Sequence, residues 1–351
     1  MTLSPLPPYN LTRLSDHPIL TTASVKPHGE GFEVLGVFNP AACRFENEIL
    51  LLLRVAEAPL PQPGWLQVPV VDHTTGQLVV HRFALPTAPA DPRVVDVAGQ
   101  TYLTSLSHLR LARSTDGIHF TVDENPFLFP ARPDEAFGLE DARITQIDAT
   151  YWITYTAVSA NGPGVGLAKT TDFRHVERVG MVLPPPNKDA CLFPERVNGK
   201  LLMLHRPMVS DIGRPSVWLC DSPDGVHWGN HRYVFGPTDA AWESLKIGAG
   251  PPPIRTPEGW LLLYHGAGQA HQYALALALL DAENPGHLLA RSATPVLMPE
   301  LAWEQQGFFP NVVFSNGWVA NSPGQWLVYY GGADASIGVA DLTYQAVPHH
   351  H

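Results

Sequence analysis

The sequence predicts an all-β protein assembled from recurring strand-rich units, with a β-propeller as the architecture. Three observations predict it. Aliphatic and aromatic runs recur at EILLLLRV (48–55), TYLTSLSHL (101–109), YWITYTAV (151–158), KLLMLHRP (200–207), WLLLYHGA (260–267) and QWLVYYGGAD (325–334), and most precede a second apolar run, as in VWLCDSPDG or YALALALLD. Each run is about 5–8 residues, rich in β-formers and closed by small polar turn residues, as strands are. The echo STDGIHF (114–120) and SPDGVHW (222–228) repeats the tight Asp-Gly turn that joins the outer strands of propeller blades. The 35 prolines and 29 glycines are spread along the chain, which suits many short strands better than long helices. A β-sandwich or barrel of similar hairpins is the alternative, but a spacing of roughly 50 residues between units is closer to a blade period. With no long amphipathic helix and no Pro/Gly/Ser linker, a single domain over residues 1–348 is expected.

Composition narrows the partners. The 351 residues, 45% of them hydrophobic, can bury a large core. A formal charge of -11 with only 22 Lys and Arg argues against nucleic acid and anionic membranes, whose phosphates need a basic face. A neutral sugar, or a small anion met by a local basic pocket, is compatible. Cys43, Cys191 and Cys220 are odd in number, far apart and without a CxxC pair, so free thiols in a reducing, cytoplasmic compartment are expected. MTLSPLPPYN lacks a basic region followed by an apolar stretch, and no apolar run approaches ~20 residues, so neither signal peptide nor membrane helix is expected. His349, His350 and His351 look like the remnant of a purification tag. The other histidines are scattered without paired ligand spacing, so no metal site is expected. The GAGPPP segment opens no helix and is not a nucleotide loop, and no cofactor is expected.

Propellers place functional residues on the innermost strands and the loops around the central channel. The first strands here carry Asn39 in FNPAA, Arg54, Glu140, Asp141, Lys188, Asp189, Arg206, Lys246, His265 and Asp334. Each alone has a plain structural explanation. Glu140, Asp141 and Arg143 would form a local ion pair, Lys188 and Asp189 a solvated turn, and Arg206 would satisfy carbonyls at a strand end. Charged residues set beside apolar strands in successive units are harder to explain that way.

At these positions the chain resembles a known family. GLEDARIT, NKDACLFPERVNGKLLMLHRP, KIGAGPPPIRTPEGWLLLYHG and YYGGADASIGVA are similar to the signature segments of glycoside hydrolase family 130, in order, from about Asn39 to Asp341. The family contains inverting mannoside phosphorylases and some β-mannosidases. The resemblance implies a five-bladed propeller with its active site at one end of the central cavity, whereas the count of runs gives six. The Pro-rich stretch 59–99, containing GWLQVPVVDHTTGQLVVHRF, is then expected to be an insertion in the first blade that overhangs the sugar.

Inversion needs an acid on the leaving oxygen and a nucleophile on the opposite face of the ring. With phosphate as nucleophile no carboxylate base is required, but an anion site is. By resemblance, Asp141 is the catalytic acid, relaying its proton through the mannosyl 3-hydroxyl. Lys188, Arg206 and Lys246 match basic positions around phosphate, with Tyr273 as a hydroxyl donor. Asn39, Arg54, Glu140, Asp189, His265 and Asp334 are the substrate-binding set, with Arg54 and Asp334 on mannose hydroxyls. Lys188 stands where some members have Arg, and Pro40 where some have a small hydroxyl residue. The resemblance also allows a homo-oligomer. For Asp141 to act as an acid near neutrality, burial or a neighbouring anion must raise its proton affinity. Two other functions remain. An inverting β-mannosidase would use Glu243 or Glu304 as base, although each, beside Trp242 or Trp303, also reads as a blade-edge anchor. A non-catalytic sugar-binding propeller would use some of the nine tryptophans as platforms.

Overall fold

A computed structural model describes residues 3–84 and 93–345, so the terminal histidines lie outside the described residues. After β1 (Tyr9–Arg13), the chain lays down strands in sets. The first holds β2 (Phe32–Phe45) and β3 (Glu48–Pro59). Two hairpins intervene, β4 (Trp65–Asp72) with β5 (Gln77–Ala84) and β6 (Val94–Val97) with β7 (Gln100–Leu103), before β8 (Leu106–Ser114) and β9 (Thr121–Val122) complete the set. The second is β10 (Gly138–Ile147), β11 (Thr150–Ser159), β12 (Gly162–Thr170) and β13 (Glu177–Leu183). The third is β14 (Asn187–Leu192), β15 (Leu201–Pro207), β16 (Val217–Ser222) and β17 (Gly229–Phe235). The fourth is β18 (Lys246–Ala249), β19 (Ile254–Thr256), β20 (Gly259–Ala267), β21 (Tyr273–Leu280) and β22 (Leu288–Arg291). The fifth is β23 (Val313–Ser322), β24 (Gln325–Gly332) and β25 (Ser336–Tyr344), to which β1 returns as an antiparallel partner, Tyr9 opposite Tyr344. The protein is all-β. Among the described residues the sole α-helix is one turn, Ala302–Gln305, and no helix is long and apolar enough to cross a membrane.

The runs at 48–55 and 101–109, counted as two units from sequence, fall on β3 and β8, which are adjacent strands of one sheet with Arg54 opposite Leu109. The six units therefore reduce to five sets. The first and second sets are joined by one parallel pair, Gly138 with Ser107. Gly138 has φ 129°, and a Cβ there would press on the Ser107 backbone nitrogen at 2.8 Å. Only glycine permits that approach.

Alternation explains the unbroken apolar runs. In β3, Leu50 and Leu52 pack with Ile144 and Ile153 of the second set, while Leu51, Leu53 and Val55 pack with Leu327 and Tyr329 of the fifth. Leu201 and Met203 meet Val165 and Leu167, whereas Leu202 and Leu204 meet Leu262 and Tyr264. Leu261 and Leu263 then meet Val328 and Tyr330. Each set thus buries both faces between its neighbours, and the fifth packs back on the first. A strand covered on both sides reads as a continuous hydrophobic run instead of alternating with polar residues.

Candidate active site

Three of the sets use the same local device. The first strand carries a bulge, and the residue at it takes a left-handed conformation: Asn39 in β2 (φ 48°), Asp141 in β10 (φ 48°) and Asp189 in β14 (φ 53°). Asn and Asp tolerate this region better than other residues with a Cβ. A bulge inserts an extra residue and re-aims side chains locally. Asp334, in the turn between β24 and β25, has φ 52°. All four line one cavity of about 270 Å³.

The residues given acid, phosphate or sugar roles by the family resemblance all line that cavity: Asn39, Arg54, Glu140, Asp141, Lys188, Asp189, Arg206, Lys246, His265, Tyr273 and Asp334. On one side Asp141 Oδ1 accepts from Asn39 Nδ2 at 2.9 Å and from Arg54 Nη1 at 3.0 Å. Arg54 also donates to Glu140 at 2.8 Å, and its guanidinium lies 4.7 Å from the Phe38 ring centroid. Lys188 Nζ donates to the other Glu140 oxygen at 3.1 Å, so Glu140 bridges the two sides. On the far side Arg206 Nη1 lies 2.6 Å from Asp189 Oδ2, off the hydrogen-bond axis, and donates to His265 Nε2 at 3.2 Å. Lys246 Nζ lies 5.1 Å from the Tyr273 ring centroid.

The expected Glu140–Asp141–Arg143 local ion pair does not form, because Arg54 takes both carboxylates. Arg143 is instead a buried brace, donating to the Asp141 carbonyl at 2.8 Å, the Ala249 carbonyl at 3.1 Å and Asp189 at 3.3 Å. Nor is Lys188–Asp189 a solvated turn. Asp189 is buried among Arg206, Arg143 and His265, where its acceptors are used to hold cations in place. Gly248 makes room for this, since a Cβ there would collide with Asp189 and the His265 ring.

The charge states correct one expectation. Burial alone would raise the Asp141 carboxyl, but the charges of Arg54, Arg143 and Lys188 and the Asn39 hydrogen bond outweigh it and hold it below its usual range. The carboxyl that is pushed up, to about 7, is Asp334, chiefly by burial and then against Arg54 by the charge of Asp141. Burial, reinforced by Arg206, lowers Lys246 to about 8. Burial lowers His265 below its usual range and raises Tyr273.

The family model for glycoside hydrolase 130, described as β-1,4-mannooligosaccharide phosphorylase, matches residues 92–348. A β-1,2-mannobiose phosphorylase of Listeria innocua is 42% identical over 349 residues, 97% of this chain and 98% of that one. The chain belongs to glycoside hydrolase family 130. A second relative in the family, the 1,2-β-oligomannan phosphorylase of a Thermoanaerobacter species, is 42% identical over 240 residues, 68% of this chain and 79% of that one. A solved structure of the Listeria innocua β-1,2-mannobiose phosphorylase in complex with β-1,2-mannobiose superposes with a TM-score of 0.91, covering 95% of this chain and 97% of that chain.

Neither glutamate considered as a hydrolytic base lines the cavity of this family 130 chain. Glu243 is buried against Thr238, Tyr264 and Arg291, and Glu304 against Arg13, Tyr330 and the amides of Glu300 and Leu301. Both are anchors. Sequence reasoning missed Arg93, Phe308 and Phe309, which also line the cavity, with the Arg93 guanidinium 4.2 Å from the Phe309 ring centroid. The GFFP segment was a visible aromatic loop, but nothing in the linear sequence places it opposite residue 93. Val94 and Leu103 of the β6–β7 hairpin join that lining, so Arg93 and Val94 bring part of the 59–99 stretch to the cavity wall; residues 85–92 of it lie outside the described residues.

Proposed function

We propose that this chain is an inverting phosphorylase that converts β-1,2-linked mannobiose or a short oligomannan, with phosphate, into α-mannose 1-phosphate and a sugar shorter by one mannose. The observation that carries this is the retained trio Lys188, Arg206 and Lys246 across one cavity from Asp141. Such a cluster suits a dianion, and the two glutamates a hydrolase would have called on are committed elsewhere. The 42% identical relatives named for β-1,2-mannosides support the linkage. A phosphate oxygen attacks C1 as the C1–O bond breaks, and the leaving oxygen takes the Asp141 proton through the mannosyl 3-hydroxyl. Phosphate would neutralise Lys188, one of the cations that depress Asp141, and add its own negative charge nearby, which raises the proton affinity of that carboxyl when the acid is needed. Asn39, Arg54 and Asp334 would hold the mannose. Asp189 and His265 would set Arg206, and Glu140 would hold Arg54 and Lys188. The five sets packed in a closed cycle support a five-bladed propeller, and the three buried free thiols fit a cytoplasmic setting.

The test is to incubate the protein with β-1,2-mannobiose with and without phosphate and follow mannose 1-phosphate. Product should require phosphate. Mannose release at the same rate without it would establish hydrolysis instead.

A further inference from the structure

Away from the cavity, β15, β16 and β17 bring together three metal-binding side chains that linear sequence keeps apart. His205 and Cys220 are buried and His231 is exposed, and their ligand atoms all lie within 4.8 Å of one another. His205 Nδ1 donates to Asn187 Oδ1 at 3.2 Å, because a carbonyl oxygen can only accept. Its Nε2 is therefore a lone pair, accepting from His231 Nδ1 at 3.1 Å. The two rings meet edge to face at 83°. The Cys220 thiol has only a weak contact, with the Met203 carbonyl at 3.6 Å.

Two imidazoles and a thiol form a donor set for borderline-soft cations, and an imidazole oriented by a hydrogen bond through its other nitrogen is how metal histidines are held. Tetrahedral zinc, with Zn–N about 2.0–2.1 Å and Zn–S about 2.3 Å, places its ligand atoms roughly 3.3–3.7 Å apart. The nitrogens are already near that spacing, and the sulfur needs to close by about 1 Å, a side-chain adjustment. No carboxylate belongs to the group, which disfavours magnesium and calcium.

We infer that His205, Cys220 and His231 bind one zinc ion, with water as the fourth ligand. The ion takes the place of the proton between the rings. His231 keeps one proton by moving it from Nδ1 to Nε2, the Cys220 thiol releases one proton to solvent, and nothing is oxidised or reduced. His205 directly precedes Arg206, and Asn187 directly precedes Lys188. The ion thus braces β15, which presents Arg206, directly, and β14, which presents Lys188, through the hydrogen bond between Asn187 and His205. Its ligands are positioning residues.

The test uses cobalt(II) as a spectroscopic probe on the chelator-treated full chain. One equivalent should produce a thiolate-to-cobalt charge-transfer band in the near ultraviolet, displaced by one equivalent of zinc. The terminal histidines carry no sulfur and cannot produce it. Zinc uptake should release one proton per ion in weakly buffered solution and raise Tm. The band should vanish in Cys220→Ser, and in His231→Ala, an exposed site where folding is not at issue. Asn187→Ala should weaken zinc binding by about 10–100-fold. Absence of the band at one equivalent, or its persistence in His231→Ala, overturns the inference.

Discussion

Asp141 carries two demands at once, a left-handed backbone and a proton at the right moment. Asn meets the first and fails the second. Asp141→Asn should therefore keep a cooperative fold, with Tm somewhat below wild type at neutral pH because a carboxylate held low by its cations is lost. Turnover should fall about 10²–10⁴-fold, the range for loss of a general acid. A fall in turnover accompanied by loss of the cooperative melt would assign Asp141 to the scaffold instead. Lys246 sets a different limit. With its ammonium lowered to about 8, it loses its charge above that pH, where phosphate is already a dianion. The KM for phosphate should rise above about pH 8, and in Lys246→Arg that limb should move to higher pH because guanidinium stays charged. Asp334 makes the sign of a third effect explicit. Its folded carboxyl titrates near 7 and its unfolded one near ~3.9, so the folded state binds the extra proton between them and loses stability as pH rises through that window. Asp334→Asn removes the loss. Its Tm advantage over wild type should be absent below about pH 4, open as pH rises and level off above about pH 7. Turnover should drop at every pH if Asp334 holds the sugar.

At the scale of elements, the turn seen twice in sequence occurs three times among the described residues. In each copy an Asp oxygen accepts from two backbone amides while its partner oxygen meets a histidine Nδ1: Asp116 with His119 at 2.7 Å, Asp172 with His175 at 2.7 Å and Asp224 with His227 at 2.8 Å. The third copy, TTDFRH, was hidden because Phe173 stands at φ 51° where the others have glycine. Its ring is buried among Phe45, Phe127 and Tyr151, and that packing offsets the backbone strain. All three carboxyls are held well below their usual range, by the histidine and the amides. Asp224→Ala should lower Tm at neutral pH. Because a depressed carboxyl stabilises above its unfolded pKa and loses that contribution as pH falls, the deficit should shrink below about pH 4. Legibility follows the same logic. Strands buried on both faces announce themselves as unbroken apolar runs, and Asp-Gly turns announce themselves by composition. Which runs share a sheet is not written locally. The pairing of β3 with β8 spans the two hairpins β4–β5 and β6–β7, and that is why one set reads as two. The site's charged residues were legible because charge beside an apolar strand is conspicuous. Their pairing was not. Arg54 reaches Asp141 across 87 positions of sequence, and which carboxyl keeps its proton depends on those distances.

The whole molecule is held by a closed cycle of packed sets, with β1 on β25 at the seam. Arg13 of β1 reaches Glu304 at 2.8 Å, and that carboxylate is fully buried. Arg13→Met would leave that charge without a cation, held only by Tyr330 and two backbone amides, and should cost about 3 kcal/mol in urea unfolding, more than a surface pair would. A cost under about 1 kcal/mol would show that the seam is held by its backbone ladder alone. The same seam sets a timetable for biogenesis. Tyr9 leaves a ribosome long before Tyr344 does, yet they are paired neighbours. During synthesis β1 must wait unpaired while the intervening sets form, and the ring can close only after β25 is released. Contacts of such long sequence separation fold slowly. A nascent chain stalled short of β25 would thus expose an open sheet edge, the species on which chaperone demand for this protein should concentrate.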